Sequence, residues 1–150
     1  MALNYVLEGD LARLRIAPPG PSRLGDQLWR HTCCEAFIGA AGRTDYHEFN
    51  LSPSGEWAAH AFARYREGGP LDDETLNPQI AIERTARTLE LSALIDLRRL
   101  GVSGTIRLGL SVVAEHEDGA ISYWALKHAP GKPDFHHRDA FALELDEIRH

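Results

Sequence analysis

The chain has little of several things. Only two of its 150 residues are cysteine, and only one is methionine. Cys33 and Cys34 are neighbours in "HTCCEAF". Adjacent side chains on a strand point to opposite faces, so this pair cannot readily bridge itself. Two cysteines without a disulfide framework suit a reducing compartment, and the expected location is cytoplasmic. Basic residues are also short: 16 Lys and Arg stand against 22 Asp and Glu, a formal net charge of -6. That balance predicts no basic face, and argues against nucleic acid or an anionic membrane surface as partner. No apolar run approaches the roughly 20 residues of a membrane span, and "MALNYVLEGDLARLRIAPPG" lacks the build of a secretory signal.

Helical periodicity is scarce, and internal repeats and low-complexity tracts are missing. Period-two alternation takes their place. In "TLELSALIDL", Leu89, Leu91, Ala93, Ile95 and Leu97 fall on one side, with Glu90, Ser92 and Asp96 opposite. Other strands are predicted over 11–16, 31–39, 46–51, 57–67, 105–117 and 120–128, with a last one in "AFALEL". "APPGPSRLGDQ" (17–27) and "EGGPLDDETLNPQ" (67–79) have the proline and glycine content of loops. Many short strands joined by such turns predict one all-β domain over residues 1–150, an antiparallel β-sandwich.

The Asp118-Gly119 pair predicts a two-residue type I′ turn. Glu117 would then pair with Ala120, and Val113 with Trp124. Ile106, Leu108, Leu110, Val112, Ile121, Tyr123 and Ala125 would form the core face. Trp124 would lie open on the other face over small residues, beside Arg107 and His128. Two further segments mix aromatic and polar side chains in the same way. "QLWRHTCCEAF" carries Trp29, His31 and Glu35. "DYHEFNLSPSGEWAAHAFARYREG" carries Tyr46, Glu48, Asn50, Trp57, Tyr65 and Arg66. On the 46–51 strand Tyr46, Glu48 and Asn50 share a face, an arrangement that suits hydrogen bonding to a hydroxylated ligand.

Other chemistries have thinner support. "PDFHH" offers Asp134, His136 and His137, but adjacent histidines on a strand diverge and rarely share one ion. GxSxG and phosphate-cradling glycine loops are missing. Glu35 and Glu48 are an acid/base pair only if the fold sets their separation, and Cys33 with His31 is a weaker nucleophile pairing.

Taken together, "LWRHTCCEAFIG", "YHEFNLSPSGEWAAHAFARYREG" and "SYWALKHAPGKPDFHHRDAFALEL" resemble the bacterial DOMON-like proteins, relatives of the family-nine carbohydrate-binding modules. The resemblance spans roughly residues 28–68 and 105–145. It implies a jelly-roll or immunoglobulin-like β-sandwich and a non-catalytic module that binds sugar or haem, with calcium as an accompanying ion. The haem-binding relatives use a methionine and histidine pair, and Met1 is the only methionine here.

The leading expectation is a carbohydrate-binding module using Trp29, His31, Glu48, Asn50, Trp57, Arg66, Arg107, Trp124, His128 and His136. The alternatives are a hydrolase or lyase built on His31, Glu35, Glu48 or His136, a haem or metal protein, and an interaction module whose exposed aromatics form a subunit interface. Oligomeric state is not legible.

Overall fold

The computed structural model describes residues 1–148. It contains eleven strands and five short 3-10 turns among the described residues. The strands are β1 (Ala2–Glu8), β2 (Arg23–Leu24), β3 (Cys33–Ala40), β4 (Tyr46–Leu51), β5 (Glu56–Arg64), β6 (Glu67–Pro70), β7 (Gln79–Arg84), β8 (Thr88–Leu94), β9 (Gly104–Glu115), β10 (Ile121–Ala125) and β11 (Leu143–Ile148). The large sheet runs β10-β9-β3-β4-β5-β2, with β11 also on β9 and β6 on β5. The small sheet runs β1-β8-β7. Every pairing is antiparallel except β2 with β5. This is the all-β sandwich that the alternation predicts. Among the described residues no helix is long and apolar enough to cross a membrane.

The core lies between the sheets. Cys34, Ala36 and Ile38 of β3, Phe49 and Leu51 of β4, Trp57 and Ala59 of β5, and Ile106 and Leu108 of β9 meet Leu3 and Tyr5 of β1 and Leu91 and Ala93 of β8. Each contributes through alternate positions, because successive side chains on a strand point to opposite faces. Glu35, Phe37, Glu48, Asn50, His60 and Ser111 therefore fall on the outer face of the large sheet.

Several expectations need correction. Residues 11–16 are not a strand; they form a 3-10 turn at Leu11–Arg13 and a single bridge from Leu14 to His116. Both predicted loops contain short strands, β2 and β6, and β1 and β7 fall where no strand was predicted. The hairpin register also differs by one residue. His116 N–H donates to the Ala120 carbonyl at 2.8 Å, and Gly119 N–H to the His116 carbonyl at 2.9 Å. The loop is thus three residues long. In it only Gly119 has positive φ, whereas a type I′ turn needs positive φ at both central residues. Asp118 accepts from Ala120 N–H, which holds the wider loop. Trp124 consequently pairs with Val112 and Tyr123 with Val113. The two aromatics change places: Tyr123 joins the outer face, and Trp124 lies on the opposite face.

β10 and β11 occupy successive stretches of the same edge of β9. The chain between them, residues 126–142, leaves the edge and crosses the outer face. Its Ala140 carbonyl lies over Gly109, where an added Cβ would approach to 2.9 Å.

Candidate functional site

This excursion and the outer face enclose a hollow of about 430 Å³. Its floor is Glu35 and Phe37 of β3, Glu48 of β4, and His60 and Phe62 of β5. Tyr123 of β10, Trp29 of the 3-10 turn Leu28–Arg30, Phe135 and His136 of the excursion, and Arg66 of the β5–β6 turn form its walls. Trp29 is 45% exposed and Tyr123 44%, so both rings remain open at the mouth. Arg30 stands over the Trp29 ring at 5.0 Å. A second hollow of about 440 Å³, which includes Asn50, shares Trp29 and His60 with the first.

The floor is acidic but not doubly charged. Glu35 and Glu48 are both buried and hydrogen-bonded to each other. Burial, then the charge of Glu48, pushes the Glu35 carboxyl well above the usual range. Glu35 therefore holds a proton and donates it toward Glu48, while Ser111 Oγ donates to Glu35 Oε1 at 3.4 Å. Burial raises Glu48 as well, and the positive field of His60 partly offsets this. Asn50 is fully buried; its amide acts to lower the Glu48 carboxyl pKa, but neither Oδ1 nor Nδ2 makes a close hydrogen bond. A buried amide without a close partner costs about 1–3 kcal/mol.

His136 is fixed from both sides. Tyr46 Oη lies 2.8 Å from its Nδ1, and Glu48 Oε2 lies 3.5 Å from its Nε2. Burial, then the charge of Arg66, lowers its pKa to about 4, so the ring is neutral at pH 7. Arg66 N–H donates to Tyr46 Oη at 3.1 Å. The tyrosine hydroxyl then donates to Nδ1, which assigns the ring proton to Nε2, toward Glu48. Arg66 has positive φ, a conformation its side chain disfavours. Its guanidinium meets Asp134 at 2.9 Å, and Tyr65 Oη also donates to Asp134. Burial would raise Asp134, but these two hydrogen bonds outweigh it and hold the carboxyl below its usual range. The excursion is thereby tied to the β5–β6 turn.

These groups give stability opposite pH slopes. The unfolded chain loses the Glu35 proton above about pH 4.5 while the folded chain keeps it, so this contribution is lost as pH rises. The unfolded His136 binds a proton near pH 6.5 and the folded one only near about 4, so its contribution is lost as pH falls through that window. The difference corresponds to roughly 3 kcal/mol, and about 2 kcal/mol after discounting the edge of the ring in solvent. Glu35→Gln keeps the donor to Glu48 without a titrating proton. It is expected to raise stability at pH 7 and to make stability fall more steeply from pH 6.5 to 4 than in the unaltered chain, because only Glu48 then opposes the His136 slope. Denaturant unfolding of both proteins at several pH values checks this; the same pH profile in both contradicts it.

Of the residues singled out in the sequence, Trp29, Glu48, Arg66 and His136 meet in the first hollow, and Asn50 adjoins it. Trp57 does not reach either: it is 1% exposed, in the core, and unavailable to a ligand. Trp124 is 65% exposed but on the other face, its Nε1–H bonded to Ser122 Oγ at 3.2 Å. The expected open platform of Trp124 with Arg107 and His128 is therefore not formed. Arg107 lies beyond the His136 wall in a different hollow. His128 stands near Phe135, ring centroids 6.0 Å apart. His31 Nδ1 lies 2.7 Å from Glu115 Oε2, in another hollow near the end of β9. Phe37, His60, Phe62, Tyr123 and Phe135 join the site without a local sequence signal; only the alternation on their strands, read in the correct register, would have placed the first four.

Among the described residues no group of three or more His, Cys, Asp and Glu side chains converges as a metal shell. His136 and His137 diverge, the latter accepting from Asp139 N–H at 3.1 Å. The thiols of Cys33 and Cys34 are buried, and burial raises both.

The chain matches no family model and no curated protein. It is similar to a solved structure, that of a proposed carbohydrate-binding protein from Bacteroides uniformis. The TM-score is 0.68 at 16% identity, over 93% of this chain and 69% of that one. A likeness at that identity shows the shared fold.

Proposed function

We propose that this chain is a carbohydrate-binding domain of DOMON-like type, and that it holds its ligand in the hollow between the outer face of the large sheet and the 126–142 excursion. One observation carries the reading: two half-open aromatic rings, Trp29 and Tyr123, stand at the mouth of a pocket with a buried hydrogen-bonding floor. Sugars have apolar C–H faces that an indole covers, and hydroxyl edges that Glu48, His60, His136 and the Asn50 amide suit. The fold it shares with a proposed carbohydrate-binding protein agrees with this. Binding rather than hydrolysis fits the carboxyl pair. Glu35 and Glu48 are hydrogen-bonded to each other, whereas glycosidase carboxyls stand about 5–9.5 Å apart to flank the bond they cleave.

Calorimetric titration with a panel of mono- and disaccharides tests the site. Trp29→Ala is expected to weaken binding by about tenfold or more, and Trp124→Ala to leave it unchanged. Loss in the Trp124 variant with retention in the Trp29 variant would move the site to the other face. Turnover of any sugar would replace the binding reading with a catalytic one.

A further inference from the structure

Beyond His136 the chemistry reverses. A hollow of about 740 Å³ adjoins the sugar pocket and has His136 as a common wall. Arg43, Arg64, Arg107 and Arg138 line it against a single lining carboxylate, Asp45. That is a quarter of the chain's 16 basic residues, in a protein of net charge -6. The acidic composition conceals this cluster, because no two of the four are close in sequence and only the topology gathers them.

Two of the four are already engaged. Arg43 forks onto Asp45 at 2.7 and 3.2 Å, and Arg64 lies 3.4 Å from Glu67. Arg107 and Arg138 are different. Among the described residues neither comes within 4 Å of a carboxylate, although Glu144 sits opposite Arg107 across the β9–β11 pair. Arg107 is partly buried and held in place. Its Nη2 donates to the Arg138 carbonyl at 3.1 Å, and its guanidinium lies 5.9 Å over the Phe141 ring. One of its five donors is thereby used, and the others are left for a ligand. A fixed guanidinium in no ion pair within 4 Å among the described residues, at the wall of a pocket whose lining residues sum to an excess of positive charge, suits an oxyanion.

We propose that this hollow is a second binding site, which takes a phosphate or sulfate group of a small ligand on Arg107 and Arg138, with Arg43 and Arg64 contributing field rather than contact. It does not depend on the sugar reading, because no residue argued to contact the anion lines the sugar pocket.

The test is a titration of the whole chain with inorganic phosphate, then sulfate, then acetate, at constant ionic strength in chloride. Arginine Nε–Hε resonances report the site. Phosphate is expected to saturate in the millimolar range, with the shifts centred on Arg107 and Arg138. Arg107→Gln and Arg138→Gln should each weaken it about tenfold with an unchanged melting temperature, while Arg43→Gln weakens it much less. Trp29→Ala should bind phosphate as the unaltered chain does, so that failure of the sugar site and failure of this one are separable. Preference for phosphate over sulfate, or the reverse, identifies which ester the site takes. Acetate binding tighter than both would overturn the assignment, as would phosphate affinity that survives both Arg107→Gln and Arg138→Gln.

Discussion

Replacing Trp57 with alanine is expected to destabilise the protein by about 3–5 kcal/mol and to lower its melting temperature by roughly 10 °C. Trp57 is 1% exposed, pairs with Leu51 across β4–β5 and with Leu24 across the parallel β2–β5 contact, and belongs to the core between the sheets. Removing the indole there leaves a cavity whose rim, on three adjacent strands, can collapse only in part. Trp29→Ala makes the contrast. Its ring is nearly half exposed on a 3-10 turn, and its loss should change stability by no more than about 0.5 kcal/mol. Denaturant unfolding of the two variants side by side is the measurement. A stable Trp57 variant, or an unfolded Trp29 variant, would mean that the roles of these tryptophans are reversed.

Gly109→Ala is the second large effect. A Cβ at this position would lie 2.9 Å from the Ala140 carbonyl oxygen, 3.4 Å from its carbonyl carbon and 3.6 Å from the Phe141 Cα. The obstruction is backbone, so no rotamer change relieves it. Either β9 or the excursion has to shift, at a cost of about 1–3 kcal/mol. The excursion should give way first, because β9 is hydrogen-bonded along both edges. Phe141 packs edge-on against Phe37 and Tyr46, and His136 on the same segment meets Tyr46 and Glu48. The variant should therefore lose sugar affinity as well as stability, although residue 109 does not line the proposed sugar pocket. A variant that binds sugar like the unaltered chain would show that the excursion is not a wall of the site.

Much of this architecture is visible in the amino-acid pattern, and what is not has identifiable causes. The alternation in β4 gives its bounds and its faces, with Tyr46, Glu48 and Asn50 together, because one side of that strand is core and the other is a polar site. β8 is equally legible. The strands β1 and β7 also alternate, Leu3 and Tyr5 in one and Ile80 and Ile82 in the other. Their alternation is obscured because β7 follows a proline- and glycine-rich stretch, and because Val6 interrupts the polar side of β1. The hairpin after β9 shows how one residue decides a face. Asp-Gly suits both a two-residue and a three-residue loop, and the choice moves Tyr123 and Trp124 to opposite sides.

The pocket itself has no local signature. Trp29 and Glu35, Glu48 and Arg66, and Tyr123 and His136 come from three separate stretches of sequence, and they meet because β3, β4, β5 and β10 lie in one sheet whose outer face the 126–142 excursion crosses. Between β10 and β11 residues 126–142 cross the outer face, so "SYWALKHAPGKPDFHH" contains both β10 residues and part of that crossing. It holds the end of an edge strand and then the lid of a site.

The central claim is that a sugar is bound on the outer face of the large sheet, and the most direct measurement is a map of backbone and indole resonances during sugar titration. Saturable shifts at Trp29 Nε1, Glu35, Glu48, Tyr123 and His136, with Trp124 Nε1 unmoved, are the predicted result. Shifts centred on Trp124 and Ser122, or no saturation with any sugar of the panel, would contradict it.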